Sequence, residues 1–238
     1  MSAVRLSGPA RLLLGSALAL LAAPAGAEVG ATVTLTSQER FRGYSVSDGY
    51  PAATFSISYD DAAGPYIEGS IMVAGNLSDG LERSRFEGNA GYALRLKNGP
   101  TVDVGVVHAE YTGYQIYGKQ AVFTEVYAGI ITRHLSVHAH YSPNYFQRSV
   151  TTFYTDMDGS VPLTSRVRLS AHYGLLFQID GGHEPAGTRT RDWRIAASTD
   201  VKQLTFELAL ASGSDKRSFY GVVKNGGTAL LFSVTAVF

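Results

Sequence analysis

Hydrophobic and polar residues alternate along most of this chain, which is the pattern of β-strands with one apolar face. Near the final residue, Phe238, the side chains of Leu230, Phe232 and Val234 occupy alternate positions. Successive side chains of a strand point to opposite faces, so these residues form a single apolar face. The same period of two runs through residues 85–97, with charged residues on the second face. The pattern therefore predicts strands rather than helices.

The alternating segments predict about twelve antiparallel strands, and their connections are alternately long and short. A tight turn at Asn98-Gly99-Pro100 contrasts with a polar loop from Gly43 to Tyr50, and further polar loops are expected at residues 76–83 and 112–120. The alternation loses its phase near Val107, which predicts a bulge there. Barrels of the outer membrane combine long outer loops with short periplasmic turns, and an even strand number places both chain ends on the periplasmic side. The predicted fold class is all-β, an antiparallel transmembrane β-barrel. A secreted sandwich or lipocalin-like barrel also alternates, with its apolar face inside.

The first residues have the pattern of a secretory signal peptide. Two arginines precede an apolar run from Leu12 to Ala23, and Ala25-Gly26-Ala27 provides a small-x-small cleavage site. The apolar run is too short to span a bilayer as a helix. We therefore predict a cleaved signal peptide at residues 1–27 and a barrel at residues 28–238.

Charge and cysteine content narrow the partners and the compartment. The 238 residues include 20 basic and 20 acidic side chains, so no bulk charge indicates a nucleic-acid partner. Cysteine is absent, which suits a chain that crosses the oxidising periplasm unfolded. A terminal Phe238 after alternating apolar residues is typical of the signal read by the barrel-insertion machinery. We predict a bacterial outer-membrane location, with outer-membrane lipids, lipopolysaccharide and small solutes as further partners.

The polar face of the strands predicts a pore wall that selects small polar or charged solutes. Arg40 and Arg42 are expected near the outer rim, in contact with an anionic solute or lipid phosphate. The other pore-lining candidates are Glu68, Arg85, Glu87, Arg95, Asp103, Glu125, His138, His140, Asp156, Arg168, His172, Asp192, Arg194 and Glu207. The alternative is an internal ion-pair network that supports the barrel and conducts little.

Two stretches of the chain resemble the pattern of a known family. The amino-terminal stretch comprises Leu35-Thr36-Ser37, Arg40-Phe41-Arg42-Gly43, Ser45, Ser47-Asp48-Gly49 and Pro51-Ala52. The second is Ser142-Pro143-Asn144-Tyr145-Phe146. Both are similar to stretches of the TorF family of porins of the proteobacterial outer membrane, whereas Gln38-Glu39 departs from the Asp-Tyr that the family pattern has there. The resemblance implies a porin-like barrel and indicates no particular solute.

A catalytic alternative rests on His138, His140 and Ser142, which resemble the His-x-Ser arrangement of outer-membrane lipid-A deacylases and phospholipases. A base two residues away on the same strand face could reach the hydroxyl. However, Pro143 replaces the Asn that follows Ser in those enzymes, and the pair lies on the polar face. We therefore predict no catalytic residue and no enzyme activity.

Other motif matches are incomplete, so we predict neither a cofactor nor a metal. Gly113 to Lys119 imitates a phosphate loop but continues with Gln120 in place of Ser or Thr. Asp156-Met157-Asp158-Gly159 imitates the start of a calcium loop and has no closing Glu.

Overall fold

The computed structural model describes residues 27–76, 80–97, 99–116, 119–146, 149–181, 189–214 and 226–238. Residues 1–26 lie outside the described residues, so the signal peptide stays a prediction. Within the described ranges, no helix has the length and the hydropathy needed to cross a bilayer.

The described chain forms twelve long strands and one short hairpin. The strands are β1 (Ala27–Thr36), β2 (Arg40–Phe41), β3 (Tyr44–Ser45), β4 (Ala52–Asp61), β5 (Pro65–Asn76), β6 (Gly80–Arg95), β7 (Thr101–Ile116), β8 (Lys119–Ile131), β9 (Leu135–Ser142), β10 (Thr151–Pro162), β11 (Val167–Asp180), β12 (Arg189–Val201), β13 (Leu204–Gly213) and β14 (Ala229–Val237). All except β2 and β3 belong to one closed antiparallel barrel, in which each strand pairs with its neighbours in the chain. The predicted twelve-stranded barrel is confirmed.

The barrel closes where β1 pairs with β14. Thr32 lies opposite Val237, and the backbone N–H of Phe238 donates to the carbonyl of Ala31 at 2.9 Å. Closure leaves no open sheet edge, as a bilayer requires. Both ends of the barrel sequence lie beside the short turns, so this is the periplasmic end and the opposite one is the outer end. A role for Phe238 in insertion stays a prediction.

The apolar face of the strands points away from the barrel axis. Side chains such as Leu230, Leu208 and Ile195 are 64%, 51% and 57% exposed. Large apolar side chains this exposed around a whole barrel need a hydrocarbon solvent. The interior carries the polar face, which excludes the sandwich or lipocalin-like arrangement with its apolar face inside. The protein is a transmembrane β-barrel.

Several strands are longer than the sequence pattern predicts. β7 continues to Ile116 and β8 begins at Lys119, so the loop expected at residues 112–120 is mostly a continuation of the two strands. β6 likewise begins at Gly80, inside the loop expected at residues 76–83. Backbone pairing continues there although the apolar alternation has ended, because backbone hydrogen bonds do not depend on side-chain polarity.

The bulge expected near Val107 is wrong. β7 pairs regularly with β6 and β8 through Val107, and its register shift lies between Tyr111 and Gln115. The alternation fades there because the inward side of β7 becomes apolar: Ala109 and Tyr111 are 0% and 1% exposed. An apolar inner face indicates that other apolar side chains of the protein pack against β7 inside the barrel.

Candidate functional site

The connection between β1 and β4 turns into the barrel. Its two short strands, β2 and β3, pair as a hairpin, and we call residues 38–47 the inner hairpin. Tyr44, Ser45, Val46 and Ser47 are 4%, 0%, 6% and 0% exposed. The expectation of a polar surface loop at residues 43–50 is therefore wrong, because half of this segment is packed inside the barrel.

The inner hairpin turns at Arg42 and Gly43, which have φ values of 47° and 80°. Two successive positive φ values make a type I′ turn, the two-residue turn that fits the twist of a hairpin. A Cβ at Gly43 would lie 2.5 Å from Gly213 Cα and 2.7 Å from the Ser212 carbonyl, so only glycine fits. Positive φ is unfavourable for arginine, and a residue held there is often functional.

The inner hairpin crosses the full width of the barrel. On one side, the ring of Phe41 stacks on Phe123 of β8 at 5.4 Å and lies 6.3 Å from Tyr111 of β7. On the other side, Gly43 lies against Gly213 of β13. In the barrel order, five strands separate β7 from β13 in either direction, so these walls face each other.

A second inserted segment lies beside the inner hairpin. Tyr145 and Phe146, in the connection between β9 and β10, are 1% and 4% exposed. Phe146 lies 5.1 Å from Phe123 and 6.2 Å from Phe41, measured between ring centroids. These rings and Tyr111 form an aromatic cluster, in which Phe41 is half-buried and the other rings are buried. The cluster and the inner hairpin lie in the outer half of the barrel.

Arg42 fastens the inner hairpin to the wall. Its two terminal nitrogens donate to the two carboxylate oxygens of Glu125 at 2.9 and 2.6 Å, and its guanidinium lies 3.8 Å from the ring centre of Tyr154. The side chains of Arg42 and Glu125 are only 8% and 3% exposed. Burial disfavours the charge, but the Glu125 carboxylate outweighs it and keeps the pKa of Arg42 above its usual range. The pair is a desolvated, bidentate ion pair.

Further polar contacts hold the same segment. The Arg40 guanidinium donates to the carbonyls of Gly43 and Gly227 at 2.7 and 2.8 Å. At the outer end, Arg83 pairs with Asp48 at 2.6 Å. Both guanidinium groups turn inward and bind the protein's own acceptors, so the expected contact of Arg40 and Arg42 with lipid phosphate is wrong. Contact of either arginine with an anionic solute stays a prediction.

A chain of acidic and histidine side chains lines the barrel next to Glu125. His140 lies 3.6 Å from Glu125 and 3.0 Å from Asp156. His138 lies 3.6 Å from Asp156 and 3.7 Å from Asp103. The network therefore joins β8, β9, β10 and β7, and every carboxylate in it has an imidazole neighbour.

A second histidine joins the next strands. His172 of β11 lies 2.9 Å from Asp158 and 2.9 Å from Asp192, and Tyr154 contacts its imidazole at 3.1 Å. Since Tyr154 also lies under the guanidinium of Arg42, this group meets the ion pair that holds the inner hairpin. The inner hairpin is therefore connected to the His172 group of the wall through Arg42 and Tyr154.

Rings on the inner wall lie over glycines of the adjacent strands. At each of these glycines an added Cβ would collide with the ring: Gly91 with Tyr66, Gly105 with Tyr127, Gly129 with His138 and Gly174 with Tyr154. The hydroxyl of Tyr66 donates to Asp103 at 2.7 Å and accepts from the hydroxyl of Tyr127, which also lies 3.0 Å from the side-chain oxygen of Asn89. The glycines let bulky side chains lie against the wall rather than across the bore.

The structure brings most of the predicted pore-lining residues to the interior. Those in the buried or half-buried network are Arg42, Arg85, Glu87, Asp103, Glu125, His138, His140, Asp156, His172 and Asp192. Arg168 pairs with Asp200 at 3.8 Å, Arg194 pairs with Glu207, and Glu68 is inward and half-buried. Arg95 is exposed at the periplasmic end of β6. Their role as a pore wall stays a prediction.

The sequence reasoning missed the aromatic cluster. Phe41-Arg42-Gly43-Tyr44 carries a signal for it, because glycine at the second position of a two-residue turn between aromatic residues is typical of a hairpin. Tyr145 and Phe146 belong to a stretch that carries the family resemblance, and the sequence pattern predicts no structural role for them. Their burial depends on contacts with Phe123, which local alternation does not show.

Ser142 has a structural partner. Its hydroxyl is 0% exposed and donates to the carbonyl of Thr124 at 2.8 Å. Within the described residues, no group of three or more His, Cys, Asp or Glu is arranged to hold a metal ion.

Comparison with known proteins supports the barrel fold. A family model described as a bacterial protein of unknown function (Gcw_chp) matches residues 21–238. The KdgM porin in complex with disordered oligogalacturonate is 14% identical, with 88% of this chain and 99% of that chain covered and a TM-score of 0.54. The NanC porin is 9% identical, with 88% and 98% covered and a TM-score of 0.52. No curated protein matches this chain. The matches show the fold of outer-membrane porins.

Proposed function

This chain belongs to the Gcw_chp family of bacterial proteins of unknown function, and we propose that it is a narrow outer-membrane diffusion channel for small polar or charged solutes. The observation that carries the proposal is the interior wall, on which ionisable side chains from most strands converge below the inner hairpin. Outward apolar side chains place the barrel in the membrane, and inward charges give it a polar path.

Charges of both signs line the wall. Asp103 and Asp156 lie beside His138, and Asp158 and Asp192 lie beside His172. Arg168 and Arg194 also point inward, each with an acidic partner. Glu68 and Asp103 lie close to the periplasmic ends of β5 and β7. The proposed channel therefore selects small solutes by the width of the bore and by charges of both signs.

The inner hairpin makes the described conformation a closed one. It spans the bore from β7 to β13 and is packed by the aromatic cluster, so a hydrated solute needs it to move. Thr36 and Ala52 are paired in the β1–β4 ladder and Ser37 is bonded to Phe232 of β14, so the inner hairpin beyond them can move and leave the wall intact. The proposal is therefore a gated channel with the inner hairpin, residues 38–47, as its gate.

The test removes the gate. Replacing residues 37–51 by Asn-Gly joins the paired residues Thr36 and Ala52 through a two-residue hairpin turn. A matched control replaces residues 163–167 by Asn-Gly at the periplasmic end, between the paired residues Pro162 and Arg168. Folding of each variant is checked by its heat-dependent migration in electrophoresis.

In planar bilayers we expect the variant without residues 37–51 to conduct at least about tenfold more often than the wild type. The control should behave like the wild type. A folded variant that lacks residues 37–51 and still passes no current would contradict the proposal and favour a structural barrel.

The hydrolase alternative makes a different prediction. No observation in the barrel favours it, because Ser142 donates to Thr124 and faces inward. If it were correct, the acyl content of lipid A or phospholipid would change in cells that express the wild type and not in cells that express Ser142→Ala.

A further inference from the structure

The outward face of β12 changes character abruptly near the outer end. From Val201 to Trp193 the outward positions of β12 are largely apolar, and Ile195 and Val201 are 57% and 52% exposed. The next two outward positions are Arg191 and Arg189, and both are exposed. Strands alternate strictly, so all of these side chains point away from the barrel axis.

The apolar stretch has the height of a membrane. Eight residue steps of about 3.3 Å make about 26 Å along the strand, or about 20 Å along the membrane normal at a tilt near 40°. The apolar band of such barrels is about 25 Å tall, and aromatic residues mark its borders. On β12, Trp193 therefore marks the outer border of the apolar stretch, and Tyr173 is its cross-strand partner. On β11 the outward apolar side chains continue beyond Tyr173 to Ile179, which is 49% exposed. Arg191 and Arg189 thus lie at the outer edge of the apolar band, where their long side chains reach the lipid headgroups.

The two arginines line a cleft rather than a flat surface. The cleft has a volume of about 700 Å³, and its lining includes Arg189, Arg191, Tyr173, Trp193 and Ser214. Ser214 is fixed there, because its N–H donates to the Arg191 carbonyl at 2.9 Å and its hydroxyl accepts the Arg191 N–H at 2.8 Å. The arginine side chains thus stand on a braced backbone.

Charge is distributed unevenly around the outer end. On β7, across the barrel, the outward side chains are His108 and Glu110, which lie 3.3 Å apart. Among the described outward side chains at this end, the arginines are those of β12. The arginines are therefore concentrated on one side of the outer end, which indicates a local binding site rather than a general attraction to the bilayer.

From these observations we propose that this cleft binds the phosphorylated headgroup of a glycolipid in the outer leaflet. Arg189 and Arg191 bind the phosphate, since guanidinium matches phosphate oxygens with two parallel hydrogen bonds. Tyr173 and Trp193 pack against the sugar and the upper acyl chains. The site lies outside the barrel, so it does not depend on conduction.

The experiment uses Trp193, the only tryptophan of the chain, as a built-in probe. Purified protein in nonionic detergent is titrated with bisphosphorylated lipid A while tryptophan emission is recorded. We expect a saturable change, and Arg189→Gln/Arg191→Gln should weaken the apparent affinity about tenfold or more. Arg191→Lys keeps the charge without the bidentate geometry and should weaken it less.

Three comparisons can overturn the proposal. The matched control, Arg133→Gln/Arg166→Gln, removes two exposed arginines from periplasmic turns, and an equal loss there would show that only net charge matters. An equal response to dephosphorylated lipid A would show that only apolar insertion is observed. Saturation by inorganic phosphate at the same concentration would show a free-anion site. Retained binding by the control, with loss on dephosphorylation and no response to phosphate, supports the proposal.

Discussion

Substitution of Arg42 by alanine tests the gate most directly. The change removes two charge-assisted hydrogen bonds and leaves the Glu125 carboxylate, 3% exposed, without its cation. Breaking a buried ion pair on one side costs about 3–5 kcal/mol. The cost falls on the closed conformation alone, because water reaches Glu125 once the inner hairpin leaves. Screening by solvent reduces it little at this depth.

That cost converts into a large change of population. A difference of about 3–5 kcal/mol corresponds to a factor between about 10² and about 4 × 10³, at about 1.4 kcal/mol per tenfold. Single-channel recordings of Arg42→Ala should therefore show a ratio of open to closed time raised by about that factor. The conductance of the open state should stay that of the wild type, because the wall below is unchanged.

A double-mutant cycle separates the pair from its surroundings. Glu125→Gln should also favour the open state, and Arg42→Ala/Glu125→Gln should show a coupling of about 1.5–3 kcal/mol between the two. The matched control is Arg168→Ala, since Arg168 pairs with Asp200 on the wall at 3.8 Å and is a third exposed. Open time in Arg42→Ala equal to that of the wild type, or a comparable effect of Arg168→Ala, would refute the reasoning.

Three further predictions test the same description. Gly43→Val should open the channel as Arg42→Ala does, because its side chain would collide with β13 in the turn; bilayer recordings would show it. Glu68→Gln/Asp103→Asn should shift the reversal potential towards anion selectivity, because it removes two inward negative charges, whereas Glu110→Gln on the outer surface should not. Phe123→Ala should lower the free energy of unfolding by about 3–5 kcal/mol in urea titrations, since Phe123 is 1% exposed in the aromatic cluster.

Much of the fold could be predicted because the wall of a barrel is built from strands that pair with their neighbours in the chain. The alternation of Leu230, Phe232 and Val234 specifies a strand with one apolar face, and twelve such segments with short turns specify an antiparallel ring. The inward charges at Glu125 and Asp156 follow from the same alternation. None of this requires knowledge of which residues distant in the chain meet.

The contents of the barrel could not be predicted in the same way. Phe41 meets Phe123 and Arg42 meets Glu125 across more than eighty residues of chain, and alternation carries no information about such pairs. The fading alternation at Val107 predicts a bulge, although it marks the apolar part of the wall that receives the aromatic cluster. Inward side chains are apolar where another segment packs against them and polar elsewhere, and only the packed structure shows where that change occurs.

The position of the hairpin base indicates which part moves. The N–H of Ser37 donates to the Phe232 carbonyl at 2.8 Å, and the Phe232 N–H donates to the Ser37 hydroxyl at 3.0 Å. These bonds extend the β1–β14 seam one residue beyond Thr36, so the seam is secured directly before the inner hairpin begins. The contacts inside the barrel are different in kind, because they are packed rings, side-chain hydrogen bonds and the ion pairs of Arg42 and Glu39. Opening a ladder of backbone hydrogen bonds in a membrane leaves polar groups in hydrocarbon, whereas release of the side-chain contacts exposes them to the water of the bore. We therefore expect the inner hairpin to move out of the bore while the barrel stays closed.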